Sequence, residues 1–372
     1  MNATRKLKDL GQSLWLDNIT RGMLHDGSLR RYIDELSVTG LTSNPTIFLH
    51  AMEKGELYDD AISRMTADGL SVEEIFFELA LDDLRQAADL FLTVHDTTSA
   101  MDGWVSLELS PVLANDTAGS IRAAIELHRK AQRPNLFIKI PGTPEGVPAI
   151  EESIFRGVPI NVTLLFSAEQ YTAAANAYLR GIERRIAAGL DPRVHSVASL
   201  FVSRWDVAVQ DAVPPALRNR LGIAVARHAY REYRRLLASP RWQSLAAAGT
   251  SAQQLLWAST GTKDPSASDT MYVEALAAPN TIDTIPDKTL LAFAEHGTIT
   301  GVMPVDGGDF ATVLAEFARV GIDVSALAAQ LQHEGTASFG KSWKELLDRL
   351  SNKSVMLLQR GRTPTAPEAG AR

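Results

Sequence analysis

Short apolar runs recur along the chain, separated by longer stretches in which apolar residues return every three or four positions. The runs predict strands over 14–17, 38–41, 104–109, 136–141, 159–165, 194–202, 254–260 and 281–286. Helical periodicity covers 72–92, 118–131, 168–188, 216–239 and 288–296. Ser71 before Val72-Glu73-Glu74 and Ser167 before Ala168-Glu169 are suitable N-caps, because a serine hydroxyl can accept from a free amide of the first turn. Strands this apolar, alternating with helices, predict a parallel sheet covered on both faces. Such strand–helix units, repeated over roughly 290 residues, fit an α/β fold of the (β/α)8 TIM-barrel type. A doubly wound open sheet is the alternative, but no Gly-x-Gly-x-x-Gly turn follows an early strand to favour it. No internal repeat is visible. Residues 301–358 read as mostly helical and are expected to pack outside the barrel, within a single domain spanning 1–358. Residues 359–372, rich in Pro, Ala, Gly and Thr, are expected to form a disordered tail.

One residue disturbs the pattern. Lys139 is a lone ammonium in the strand Leu136-Phe137-Ile138-Lys139-Ile140-Pro141, and burying an unpaired charge is expensive. A lysine held out of water gives up its proton more readily and can then attack a carbonyl to form an imine. Lowering a lysine pKa to near neutrality costs on the order of 4 kcal/mol, which a large core can absorb. The competing reading is a strand-end lysine that snorkels to solvent or pairs with a carboxylate. Side-chain alternation separates the two. Lys139 shares its face with Phe137, while Ile138 and Ile140 face away. Glu108 and Ser106 share a parity against Val105, Leu107 and Leu109; Asn161 and Thr163 share one against Ile160, Val162 and Leu164. Asp17 closes Leu14-Trp15-Leu16-Asp17 in the same way. Several strands thus carry a reactive polar residue toward their C-terminal ends, where a barrel assembles its active site.

Bulk composition narrows the chemistry. The 372 residues are 45% hydrophobic and 22% charged, which is ordinary for a globular protein. A net charge of −7 argues against general nucleic-acid or membrane-surface binding, but leaves room for a local cationic pocket. Without any cysteine there is no disulfide, thiolate nucleophile, iron–sulfur cluster or cysteine-ligated zinc. The eight histidines form no i,i+4 metal pair. Residues 1–10 are charged and lack an apolar signal core, and no apolar run reaches bilayer-spanning length, so a cytoplasmic protein is expected.

The segments Leu14-Trp15-Leu16-Asp17-Asn18-Ile19, Gly40-Leu41-Thr42-Ser43-Asn44-Pro45-Thr46, Val105-Ser106-Leu107-Glu108, Phe137-Ile138-Lys139-Ile140-Pro141, Ile160-Asn161-Val162-Thr163-Leu164-Leu165-Phe166-Ser167 and residues 196–204 occur in the order seen in transaldolases. The chain resembles the longer bacterial variant of that family over about residues 10–350. The resemblance implies that Lys139 forms an imine with the C2 carbonyl of a ketose phosphate, sedoheptulose 7-phosphate or fructose 6-phosphate. Asp17 would take the C4 hydroxyl proton as the C3–C4 bond breaks, and return it when a new aldehyde, glyceraldehyde 3-phosphate or erythrose 4-phosphate, is attacked. Glu108, with Thr163 and an intervening water, would move the protons of carbinolamine formation and dehydration. Asn44 and Asn161 would hold the dihydroxyacetone unit. Ser199 and Arg204 match the phosphate-binding stretch, although Arg204 has Asp206 nearby as an alternative partner.

After the seventh strand the family pattern is a Ser followed two residues later by an Arg. Here Ser259 leads into Thr260-Gly261-Thr262-Lys263, so Lys263 stands as a substitute cation without a bidentate fork. Leu109-Ser110-Pro111 also departs from the family's Val-Asp-x-Arg. The resemblance implies no cofactor or metal, small sugar-phosphate partners and a place in the non-oxidative pentose phosphate pathway. An aldolase releasing free dihydroxyacetone is the near alternative, and a homodimer and a monomer stay equally open.

Gly335-Thr336-Ala337-Ser338-Phe339-Gly340-Lys341-Ser342 satisfies the P-loop pattern, which would make the chain a nucleotide hydrolase using Lys341. That motif needs a preceding strand, and 324–333 reads as helical, so a helix–turn–helix with a glycine stop is expected instead. A catalytically dead barrel serving as a scaffold is opposed by the intact Lys139, Glu108 and Asp17.

Overall fold

Runs such as Leu136–Pro141 and Ile160–Leu165 bury both of their faces, and each pairs in parallel with the next run in the chain. The computed structural model, which describes residues 2–43, 48 and 56–362, closes these runs into a barrel. Its strands are β1 (Gln12–Leu16), β2 (Val38–Thr42), β3 (Val105–Glu108), β4 (Leu136–Pro141), β5 (Ile160–Leu165), β6 (Ser196–Phe201), β7 (Gln254–Ala258) and β8 (Thr281–Ile285). They follow one another in sequence order, and β8 pairs with β1 in the register Gln12↔Thr281. All eight runs expected from the pattern are strands, joined by helices as a (β/α)8 barrel requires. No helix among the described residues is long and apolar enough to cross a membrane.

Parity divides the core into two layers. Ile138, Ile140 and Val162 face the helices, and an irregularity after Val162, with Leu164 at φ 57°, turns Leu165 to join them and sends Leu164 to the inner layer, against its expected parity. Trp15, Phe137, Val197, Leu256 and Ile282 fill the barrel axis. The lower axis is a solid plug: the Trp104 and Phe137 rings stack at 4.0 Å, and the Trp15 indole donates to Asp102 Oδ1 at 2.8 Å. Position 40 must be glycine here, because a Cβ would sit 2.7 Å from the Trp15 ring and from the Trp104 carbonyl. With the bottom filled, polar chemistry is confined to the C-terminal mouth.

Asp283 lies on the outer face of β8, fully buried, accepting one hydrogen bond from Thr260 at 2.7 Å. Burial pushes its carboxyl up to about 7. The folded state therefore binds this proton more tightly than the unfolded chain does. The resulting stability is complete below the unfolded pKa of about 3.9 and is lost as pH rises through about 7, at up to ~1.36 kcal/mol per pH unit. Asp283→Asn should therefore gain stability relative to the parent between pH 5 and pH 8 in urea melts. An unchanged gap at the two pH values would contradict this.

Two helices follow the barrel. Phe310–Arg319 packs outside, against the helix Leu221–Ala238, as the sequence predicts. Val324–Arg362 does not stay outside. It crosses the mouth, and the buried Gln332 Nε2 donates at 3.0 Å to both the Gly142 and Leu164 carbonyls. The expected helix–turn–helix is also corrected, since Gly335–Ser342 lies within this one continuous 39-residue helix and forms no phosphate loop. Gly335 serves close packing rather than a helix stop: a Cβ there would lie 3.0 Å from Leu164 Cδ2. The helix runs through Arg362, so residues 359–362 belong to it and not to a tail; residues 363–372 lie outside the described residues.

Candidate active site

Register brings the polar residues level across neighbouring strands: Glu108 pairs with Lys139, and Lys139 with Asn161. Lys139 is 7% exposed and Glu108 5%. The lysine Nζ lies 3.3 Å from Glu108 Oε2 and donates to the Ser43 carbonyl at 3.4 Å. The lysine thus neither snorkels outward nor stands alone. Burial raises the Glu108 carboxyl pKa, opposed chiefly by the charge of Lys139, which makes Glu108 a competent proton acceptor. Glu108 Oε1 and Thr163 Oγ1 are both buried without a partner among the described residues. Buried polar atoms rarely stay unpaired, so these two are available to a substrate group or a bridging water.

Asp17 follows β1 directly, its backbone amide still bonded to the Ile285 carbonyl at 2.8 Å. Burial raises its pKa; Lys139, a 2.9 Å hydrogen bond from Thr42 Oγ1 and the charge of Lys263 pull it back. The Thr42 hydroxyl also meets that of Thr284 at 2.9 Å, which ties Asp17 to β2 and β8. On the other side of Lys139, Asn161 Nδ2 donates to Ser106 Oγ at 3.1 Å, and Ser199 Oγ donates to Asn161 Oδ1 at 2.7 Å. Ser199 thus sits in the barrel interior beside Asn161, away from the rim, because parity turns it inward before β6 ends. Asn44 lies outside the described residues.

The rim carries the cations. Arg204 lies just beyond β6, its guanidinium 5.1 Å from the Phe201 ring centre and 5.7 Å from that of Phe339. It does not pair with Asp206, whose carboxylate accepts from the Leu221 and Gly222 amides and from Tyr272 at 2.8 Å. Ser259, at φ 58°, shares a 2.9 Å hydroxyl contact with Ser203 and accepts its amide, which fixes the β7 loop against the residue before Arg204. Lys263 is exposed on that loop, close enough for its charge to act on Asp17. A buried amine, two carboxylates of raised pKa and two rim cations therefore share one mouth. That set can form an imine, shuttle protons and bind an anionic substrate.

Residues 14–350 match the family model for transaldolase/fructose-6-phosphate aldolase. The chain belongs to this family. It is 44% identical to the transaldolase of Arthrobacter sp. (strain FB24) over 353 residues, covering 92% of this chain and 95% of that protein. It is also 44% identical to the transaldolase of Thermobifida fusca (strain YX) over 360 residues, 94% and 97% of the two chains. The transaldolase of Thiobacillus denitrificans (strain ATCC 25259 / T1) is 43% identical over 358 residues, 94% of this chain and all of that one.

For a chain of the transaldolase/fructose-6-phosphate aldolase family, the sequence reading left out several contributors that touch the reactive groups. Thr42 and Ser43 stand in the motif around Asn44, yet only their contacts give them work, one on Asp17 and one on Lys139. Parity already places Ser106 on the Glu108 face, and the structure adds its contact, a hydrogen bond accepted from Asn161. Thr284 could not be placed by parity, because Thr281-Ile282-Asp283-Thr284-Ile285 carries polar residues on both faces.

Proposed function

We propose that this protein is a transaldolase working through a Schiff base on Lys139. The buried Lys139–Glu108 pair at the mouth of a barrel of this family carries the reading. The neutral amine adds to the C2 carbonyl of a ketose phosphate, sedoheptulose 7-phosphate or fructose 6-phosphate. Glu108, through Thr163 and a water, supplies and removes the protons as water leaves the carbinolamine. Asp17 takes the C4 hydroxyl proton, the C3–C4 pair flows into the iminium, and an aldose phosphate departs. The enamine left on Lys139 attacks glyceraldehyde 3-phosphate or erythrose 4-phosphate, Asp17 returns the proton, and water frees the product. Asn161, joined by Ser199 and Asn44, holds the dihydroxyacetone unit, while Arg204 and Lys263 receive the phosphate, with Ser259 shaping the loop that presents Lys263. This chemistry belongs to the non-oxidative pentose phosphate pathway.

The test is borohydride reduction in the presence of fructose 6-phosphate, followed by peptide mass mapping. A three-carbon adduct on Lys139 is expected. No adduct, or one on another lysine, overturns the reading.

A further inference from the structure

Arg204 is held unusually for an anion-binding arginine. Among the described residues no carboxylate forms an ion pair with it, and Glu108 and Glu334 act on it only through space. Its position is instead fixed by packing. Phe201, at the end of β6, presents one ring and Phe339 a second, at 5.1 and 5.7 Å from the guanidinium carbon. Gly335 lies one helical turn before Phe339, and a Cβ at that position would come 3.2 Å from Arg204 Nη1. The first ring belongs to the barrel. The second ring and the glycine belong to the helix Val324–Arg362, anchored across the mouth by Gln332.

An arginine fixed by a carboxylate spends its donors on that carboxylate. One fixed by aromatic faces keeps its planar fork of N–H groups free for an incoming anion. We infer that Phe339 and Gly335 are positioning residues for substrate phosphate: the mouth-crossing helix completes an aromatic clamp on Arg204 and leaves its N–H groups free for the phosphate. This rests on the proposed role of Arg204 in phosphate binding. The helix that carries the P-loop-like sequence thus serves phosphate recognition indirectly, through the arginine it packs against.

The test compares Phe339→Leu, Phe339→Tyr, Gly335→Ala and Arg204→Ala with the parent enzyme. The readouts are kcat and KM for fructose 6-phosphate, kcat/KM for unphosphorylated fructose, the inhibition constant of inorganic phosphate, and the melting temperature. Losing one ring face should raise KM for fructose 6-phosphate and the phosphate inhibition constant about fivefold. It should change kcat less than twofold and leave the unphosphorylated donor unaffected. Phe339→Tyr, which keeps the ring, should restore parent values; Gly335→Ala should weaken phosphate binding as Phe339→Leu does. Equal losses on both donors, or unchanged phosphate inhibition in a folded Phe339→Leu, overturn the inference. If Arg204→Ala itself fails to separate the two donors, the phosphate role of Arg204 falls, and the clamp with it. If Arg204→Ala separates them and Phe339→Leu does not, the clamp alone falls.

Discussion

Exchanging Lys139 for methionine is expected to abolish turnover, with kcat down by on the order of 10^5, because the buried amine that forms the imine in the proposed mechanism is removed. The loss should appear in kcat and in kcat/KM together, since the covalent route itself is removed. Borohydride with fructose 6-phosphate should then leave no adduct on the chain. Folding answers differently. Glu108 loses the charge 3.3 Å away that opposes the effect of burial, so its pKa climbs further. A carboxyl whose folded pKa exceeds its unfolded value contributes stability at low pH that is lost as pH rises through the folded pKa. The variant should therefore fold well at pH 5 and lose stability relative to the parent toward pH 8, read by thermal melts at both. Residual turnover within a hundredfold of the parent would rule Lys139 out as nucleophile.

Asp17→Asn separates the two halves of the chemistry. In the proposed mechanism carbinolamine dehydration uses Glu108, so imine formation should persist, while C3–C4 cleavage loses its base and kcat falls by about 10^2–10^4. Borohydride should accordingly trap a six-carbon phosphorylated adduct on Lys139 in place of the three-carbon one. In the parent only the ionised carboxylate can accept the C4 proton, and burial raises the Asp17 pKa. The acidic limb of the parent's kcat profile should thus stand above the ordinary aspartate range and vanish in the variant. A three-carbon adduct in the variant would reassign the base.

The barrel was legible because strands buried on both faces leave a continuous apolar signature, and polar residues such as Lys139 and Glu108 interrupt it on one parity only. Errors fell where polar residues are buried for structural reasons. β1 begins at Gln12, ahead of the predicted start, because its side-chain amide donates to Leu276 and Thr281 inside the protein. The helix expected over 216–239 starts at Leu221, after a 3-10 turn at Pro215–Leu217 and a left-handed Asn219 at φ 61°. Strand parity likewise grouped Lys139, Glu108 and Asn161. It could say nothing about the path of Val324–Arg362, because periodicity marks an apolar stripe without naming the surface that receives it. Phe339 therefore fell, with Gly335, in the expected glycine-stopped turn.

The bond from Gln332 to Gly142 spans 190 residues of chain, and the β1–β8 seam joins positions 269 apart at Gln12 and Thr281. Contacts this distant in sequence carry a large loop-closure entropy and form late in folding. During synthesis every strand up to β7 can be made before β1 finds its second neighbour, and the mouth acquires its crossing helix later still. The nascent chain thus carries an open sheet edge for most of its translation. Lys139 leaves the ribosome long before the helix that crosses its mouth, so the surroundings of the Lys139–Glu108 pair are completed only after that helix has been made.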